Sequence, residues 1–234
     1  MLQAELPVSR AVRPVTIHTF AGENEPVIVI DEFSGCIDRI EEIGRRAPYS
    51  PAVGFPGLRS PFDPRYLQLA GPIVGQLFAE HFGLRKQFRP ESCSFSLVTT
   101  PPDLLSQPQR RPHYDGAQAN LVATVHYTGG AQTGGTAFYR HRRSGLATIR
   151  PEQADAYEEA VAQDEREFGP LPDSYYYGDS DRYELIGEIE ARPDRLIAYR
   201  GWNLHSGVIP VPPAPNTSAR DARLSVNTFL IGQL

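Results

Sequence analysis

Cysteine is scarce in this 234-residue chain. Cys36 and Cys93 stand far apart with no metal-type or redox-type spacing, so a disulfide framework and a thiolate metal site are excluded and two reduced, structural thiols are expected. Long apolar runs are lacking as well. No stretch approaches the length of a membrane span, and the segment after Met1 has no apolar core suited to a secretory signal, so a cytoplasmic protein with no membrane partner is expected. In that setting Asn216-Thr217-Ser218 carries no meaning as a glycosylation acceptor. Charge of one sign is not in excess either. With 23 basic and 28 acidic residues the formal net charge is -5, which points to no nucleic-acid partner and no anionic lipid surface. The length suits one domain, 1-234, large enough to bury a core.

What is present changes character along the chain. Residues 1-26, with prolines at 7, 14 and 26, predict an arm and an edge strand, and the β-branched run Pro26 to Asp31 predicts a buried strand. Asp38 to Arg46 predicts a short helix with acids first and bases last, the order the helix dipole favours. Pro51, Pro56, Pro61 and Pro64 with Gly54 and Gly57 predict a loop from Tyr49 to Pro64. A second helix is expected over about Pro64 to Phe82, kinked or broken at Gly71-Pro72. From about Ser92 the period becomes strand-like. Strands are expected at Ser94 to Thr99, Asn120 to Tyr127, Gly134 to Arg140 as hairpin partner of the strand before it, Asp194 to Arg200, and Arg223 to Ile231. Pro101 to Gln109 is a polar loop. The acidic, tyrosine-bearing stretch Pro151 to Arg182 reads as an inserted helix, Pro151 to Phe168, with a lid, not as a second domain. The sum is a mainly β protein, a jelly-roll core over 91-234 with an insertion at about 151-183, buttressed by a strand and helices from 1-90.

One short stretch carries chemistry. In an extended segment the side chains of His113 and Asp115 point the same way and can grip one ion together. His205, directly after an apolar run, is the best third ligand. Two neutral imidazoles and one carboxylate on one side of an ion form the set that suits iron(II) and leaves other positions open for chemistry. Eighteen residues further on, Arg223, Ser225, Asn227 and Phe229 share one face of an alternating strand. An arginine aimed into a barrel needs a partner, and a dicarboxylate ligand supplies one. The competing readings are a surface turn at Asp115-Gly116, a loop-supporting role for His205, a structural ion pair for Arg223, His126 as the third ligand of a zinc hydrolase, and, for the whole chain, a non-catalytic jelly-roll binding or sensing protein. No Glu-His helix motif supplies that hydrolase with a general base, and a satisfied barrel histidine is the stronger reading of His126. His18, His81 and His141 have no partners at ligand spacing. Arg110 and Arg111, and Arg140 to Arg143, form basic clusters read as solvated loop faces.

The order His113-x-Asp115, His205, Arg223-x-Ser225 resembles the iron(II)- and 2-oxoglutarate-dependent dioxygenases. Thr124 to Tyr127 followed by Gly134-Gly135-Thr136-Ala137-Phe138 is similar to their prolyl 4-hydroxylase-like branch. The resemblance covers roughly residues 90 to 234. It implies a double-stranded β-helix of cupin-like type, with Fe(2+), 2-oxoglutarate and O2 as cofactor and co-substrates and ascorbate as an additive in vitro. It implies His113, Asp115 and His205 as the metal ligands, with Arg223 and Ser225 on the distal carboxylate of 2-oxoglutarate. Tyr127 and Tyr199 are further candidates for hydrogen bonds to that carboxylate. The implied reaction releases succinate and CO2 and hydroxylates a small molecule, amino acid or peptide side chain. Because Asp115 is present, the halogenating variant of the site is not expected. The chain departs from the branch at Val208 to Pro213, where a carboxylate-binding lysine is normally found and none stands here, so the peptidyl-proline substrate does not carry over.

Overall fold

The computed structural model describes residues 13–20, 25–70, 72–218 and 220–233. Short, alternating segments pair into two antiparallel sheets. In chain order these are β1 (Val15–His18), β2 (Val27–Ile30), β3 (Ser50–Pro51), β4 (Gly57–Pro61), β5 (Arg85–Val98), β6 (Leu121–Tyr127), β7 (Gly135–His141), β8 (Tyr183–Glu190), β9 (Arg195–Arg200), β10 (His205–Gly207) and β11 (Arg223–Gln233). The large sheet runs β1-β2-β9-β6-β11-β5-β4-β3 and the small one β10-β7-β8. This is the expected jelly roll. Among the described residues no helix is long and apolar enough to cross a membrane.

Alternation along the strands sorts the side chains into three apolar layers. Ala123, Val125 and Tyr199 of the large sheet meet Phe138 and Ile189 of the small sheet, forming the layer between them. On the opposite face of the large sheet, Phe95, Leu97, Leu224 and Val226 pack under helices α1 (Ile37–Arg45) and α2 (Pro72–Phe82) through Ile40 and Phe78. Burying such a side chain contributes about 2 kcal/mol. On the outer face of the small sheet, Tyr139 and Tyr183 pack against Tyr157 and Val161 of α3 (Ala154–Phe168).

The N-terminal expectations hold at β2 and α1, and the second helix is broken as expected: a 3-10 helix, Pro64–Ala70, precedes α2, with residue 71 outside the described residues. Of the stretch 1-26, expected as an arm and an edge strand, β1 forms the edge of the large sheet, and residues 1-12 and 21-24 lie outside the described residues. Two expectations are corrected. Tyr49 to Pro64 is not simply a loop, because β4 pairs with β5 and β3 with β4. β3 is the edge of the sheet and β4 its neighbour; Pro51 sits on the edge strand and Pro61 at the last position of β4, places where a residue that donates no hydrogen bond is tolerated. Gly134 to Arg140 is not the hairpin partner of β6. Gly134, at φ +85°, carries the chain across to the small sheet, where β7 pairs with β10 and β8. A Cβ at Gly134 would stand 1.9 Å from the Val208 carbonyl oxygen, so only glycine makes this crossing.

The insertion is docked, and the basic clusters dock it. His141 bonds Asp164 of α3 through Nε2 at 2.9 Å, Arg143 pairs with Asp164 and Glu167, and Arg140, Arg142, Arg110 and Arg111 pair with Glu184, Asp179, Asp173 and Glu158. These clusters are therefore largely internal ties, not a free cationic face. A comparable tie holds the other side. Asp194 accepts from the Ser34 amide and hydroxyl, the Gly35 amide and His126 Nε2, at 2.5–2.9 Å. Burial pushes the Asp194 carboxyl up, but hydrogen bonds from His126 and Ser34 outweigh it and hold it below the usual carboxylate value. Its contribution is thus present above the unfolded value and lost as pH falls through the lower, folded one. Asp194→Asn keeps the tolerance for the backbone's positive φ of 62° and removes the charge. We expect a loss of about 2 kcal/mol in urea unfolding at neutral pH, with the difference from the parent shrinking below the ordinary carboxylate range. An equal difference at both pH values would show that the charge contributes nothing.

Candidate metal centre

The His113–Asp115 pair and His205, ninety residues further on, converge at one end of the space between the sheets. His113 and His205 face each other in a backbone bridge, each amide donating to the other's carbonyl at 2.9 and 2.8 Å. The Asp115 and Gly116 amides both donate to the Gly201 carbonyl, stitching the segment after His113 to the β9–β10 connection. One candidate donor atom from each of His113, Asp115 and His205 lies within 4.8 Å of the others. His113 Nε2 stands 3.8 Å from Asp115 Oδ1, and His205 Nε2 stands 3.6 Å from Asp115 Oδ2. These distances are too long for hydrogen bonds, but donors sharing an ion through bonds of about 2.1 Å lie roughly 3 to 4 Å apart.

The surroundings suit a metal. Asp115 Oδ2 is buried without a hydrogen-bond partner, a costly arrangement unless a cation takes it up. The His205 Nδ1–H donates to the Asn203 carbonyl at 2.9 Å, which fixes the tautomer and turns the Nε2 lone pair toward Asp115. His205 is 7 % exposed, whereas His113 opens half of its side chain (52 %) to the cavity. Burial lowers the His205 imidazole to about 4; the enclosing cavity walls and the neighbouring His205 lower His113 as well. Burial raises Asp115 to about 6. Near neutral pH all three are therefore in the protonation state that binds a cation. Below about pH 6 a proton competes for Asp115, so metal affinity is expected to fall about tenfold per pH unit down to roughly pH 4, and more steeply below. Competitive metal titrations from pH 8 to 5 check this; an affinity constant across that range would remove Asp115 from the ligand set.

The cavity has a volume of about 570 Å³. Its wall on the large sheet carries Arg223 and Asn227 of β11, Val98 of β5, Arg59 of β4 and Tyr199 of β9. Arg223 is half-buried, its Nη2 donates to the Gly135 carbonyl at 3.2 Å, and its Nε has no partner. Burial lowers its pKa, and among the described residues no carboxylate pairs with it.

The alternation of β11 puts Ser225 on the same face as Arg223, but Ser225 is 1 % exposed and donates its hydroxyl to Asn227 Oδ1 at 2.7 Å. Tyr127 is placed differently from the expectation too: its hydroxyl is engaged with Thr136 Oγ1 at 2.7 Å, and its ring lies 5.7 Å from the Arg223 guanidinium. Neither lines the cavity; Tyr127 lies beside Arg223, and Ser225 is engaged with Asn227. Asn227 does line it. His126 points to the opposite face of the large sheet, bonded to Asp194 and packed beside Phe33 and Tyr66, and is no ligand of this centre. Sequence reasoning missed Arg59, because its segment read as loop. The available signal was the alternation Leu58, Arg59, Ser60, which turns Arg59 away from the apolar layer that takes Leu58.

No curated protein matches the sequence. Among solved structures, the chain is similar to SnoN, a non-heme alpha ketoglutarate dependent epimerase from nogalamycin biosynthesis, at 13% identity over 88% of this chain and 78% of that chain, TM-score 0.50. It is also similar to HygX from Streptomyces hygroscopicus, solved with nickel and 2-oxoglutarate bound, at 12% identity over 88% and 82%, TM-score 0.47. A third is an N-substituted L-amino acid dioxygenase from Burkholderia ambifaria AMMD, at 12% identity over 88% and 82%, TM-score 0.42. At such identities the likeness is one of fold. A sequence profile matches residues 12–230, and by that match the chain belongs to DUF6445, a family of unknown function.

Proposed function

We propose that this protein is an iron(II)- and 2-oxoglutarate-dependent oxygenase in which His113, Asp115 and His205 hold the metal and Arg223 binds the distal carboxylate of the keto acid. The observation that carries the reading is the facing of two complementary deficits across one cavity. A carboxylate and two neutral imidazoles lack a cation at one end, and a guanidinium lacks an anion on the wall. The jelly-roll fold, which SnoN shares, supports it. When bound, iron and 2-oxoglutarate would supply the activation of dioxygen that couples release of succinate and CO2 to oxidation of a substrate C–H bond.

The chain's own residues do the positioning. His205 is locked in one tautomer by Asn203, and Asp115 is anchored through its amide to Gly201. Arg223, held by the Gly135 carbonyl and the Tyr127 ring, offers its remaining N–H groups to a carboxylate. The apolar packing of Phe138 and Tyr199 around His205 keeps water and other oxidisable groups back from the centre. Because Asp115 completes the ligand set, hydroxylation of a small molecule, amino acid or peptide side chain in the cytoplasm is the specific reaction proposed. The Gly134 to Phe138 segment is the part of the chain that links it to the prolyl 4-hydroxylase-like branch.

The test is anaerobic calorimetry of 2-oxoglutarate binding with and without iron(II). Binding in the metal-loaded protein, and its loss on chelation, is the expected outcome. Equal affinity in both states would detach the keto acid from the metal and sink the reading.

A further inference from the structure

We propose that Arg59 recognises a carboxylate on the primary substrate, so that the oxidised compound is an organic acid bound through its carboxylate. The inference rests on the cofactor reading above and extends it to the second ligand. Among the described residues, the charged groups lining the cavity are Arg59, Arg111, Arg223 and Asp115. The charge of Arg111 is offset by Glu158, which its Nη2 meets at 3.4 Å, although its Nη1 is buried without a partner. In the loaded site the charges of a divalent ion, Asp115, the two carboxylates of the keto acid and Arg223 cancel. Arg59 is left over.

The position of Arg59 agrees with a waiting ligand. Its Nε is buried without a partner, and its guanidinium lies over the Phe55 ring at 4.5 Å, which holds the planar group while leaving its edge free. Burial lowers its pKa while Asp115 raises it, and among the described residues no carboxylate lies within ion-pair distance. A metal at Asp115 would withdraw that compensation. The pairing register sets Arg59 opposite Ser96 of β5, and Ser96 opposite Ser225 of β11. Arg59 thus lies two strands from Arg223, on the same face of the sheet, and a keto acid held by Arg223 leaves it to a second molecule. The same cavity is lined by Tyr175 and Gln109, and it exceeds what one five-carbon acid fills. One residual positive charge on a single planar fork fits a carboxylate better than a phosphate dianion.

The experiment is arginine modification by methylglyoxal, read by peptide mass spectrometry on the anaerobic protein loaded with iron(II) and 2-oxoglutarate, with benzoate, benzamide and inorganic phosphate as probes. We expect 2-oxoglutarate to shield Arg223 and leave Arg59 reactive. Benzoate should then slow modification of Arg59 about tenfold, the scale of one charge-assisted contact, and benzamide should not. In Arg59→Gln, calorimetry should show benzoate binding lost and the 2-oxoglutarate dissociation constant unchanged within about twofold. Shielding of Arg59 by 2-oxoglutarate itself would assign it to the co-substrate. An unreactive Arg59, no effect of benzoate, or equal effects of benzoate and benzamide would overturn the proposal, and stronger shielding by phosphate would replace the carboxylate with a phosphate ester. A 2-oxoglutarate that leaves Arg223 reactive would instead break the cofactor reading, independently of the benzoate comparison.

Discussion

Asp115→Ala is expected to weaken iron(II) binding by far more than the roughly 100-fold that disturbing a mere outer partner of a metal ligand costs. The expectation follows from the geometry. Asp115 is the sole carboxylate among the three groups, it stands within 4 Å of both imidazole Nε2 atoms, and one of its oxygens is buried with nothing to accept from. Without it, two neutral imidazoles would face a divalent ion with no anionic ligand and with Arg59 and Arg111 lining the same cavity. The fold should survive, because the backbone amide of residue 115 donates to Gly201 whatever its side chain. Anaerobic metal titration with circular dichroism alongside separates the two effects. A variant that holds iron as tightly as the parent would discard the ligand assignment.

Arg223→Gln should do the reverse, retaining iron while losing about 3 kcal/mol of 2-oxoglutarate affinity, roughly 100-fold, the worth of a two-pronged charged contact in a partly desolvated site. Glutamine keeps a hydrogen-bond donor for the Gly135 carbonyl and removes a guanidinium that no carboxylate compensates. Calorimetry on the metal-loaded variant reads the keto acid directly. An unchanged dissociation constant would return Arg223 to a structural role.

How much of this was legible in the sequence depended on the range over which each feature is decided. His113 and Asp115 were readable because two residues of extended chain suffice to align their side chains. The candidate His205 was readable, but its arrival was not. That depends on the reciprocal backbone bridge between residues 113 and 205 and on Gly201 accepting from Asp115 and Gly116. Alternation placed Arg223, Ser225 and Asn227 on one face correctly. It gave no depth along the strand, and so could not tell that Ser225 would be buried and spent on Asn227 while Asn227 met the cavity.

The errors have physical causes as well. Proline density between Tyr49 and Pro64 concealed β3 and β4, because Pro51 lies on the edge strand and Pro61 at the end of β4, where the hydrogen bond that proline cannot make is dispensable. With β4 went Arg59. The pairing of β7 hung on Gly134, whose approach to the Val208 carbonyl is a contact between segments more than seventy residues apart. The strands β8 and β10 went unseen, the first because its acidic alternation merges with the insertion before it, the second because three residues carry too little pattern. The basic clusters were misjudged as solvated since their acidic partners lie mostly in the inserted segment, beyond any local window.

Turnover tests the assignment of the metal and the keto acid most directly. Purified protein with iron(II), ascorbate and 2-oxoglutarate under air should form succinate, and Asp115→Ala should form none above the protein-free control. A parent protein that binds iron and 2-oxoglutarate yet yields no succinate, alone or with carboxylic acids offered as substrates, would contradict the oxygenase reading and leave a ligand-binding jelly roll in its place.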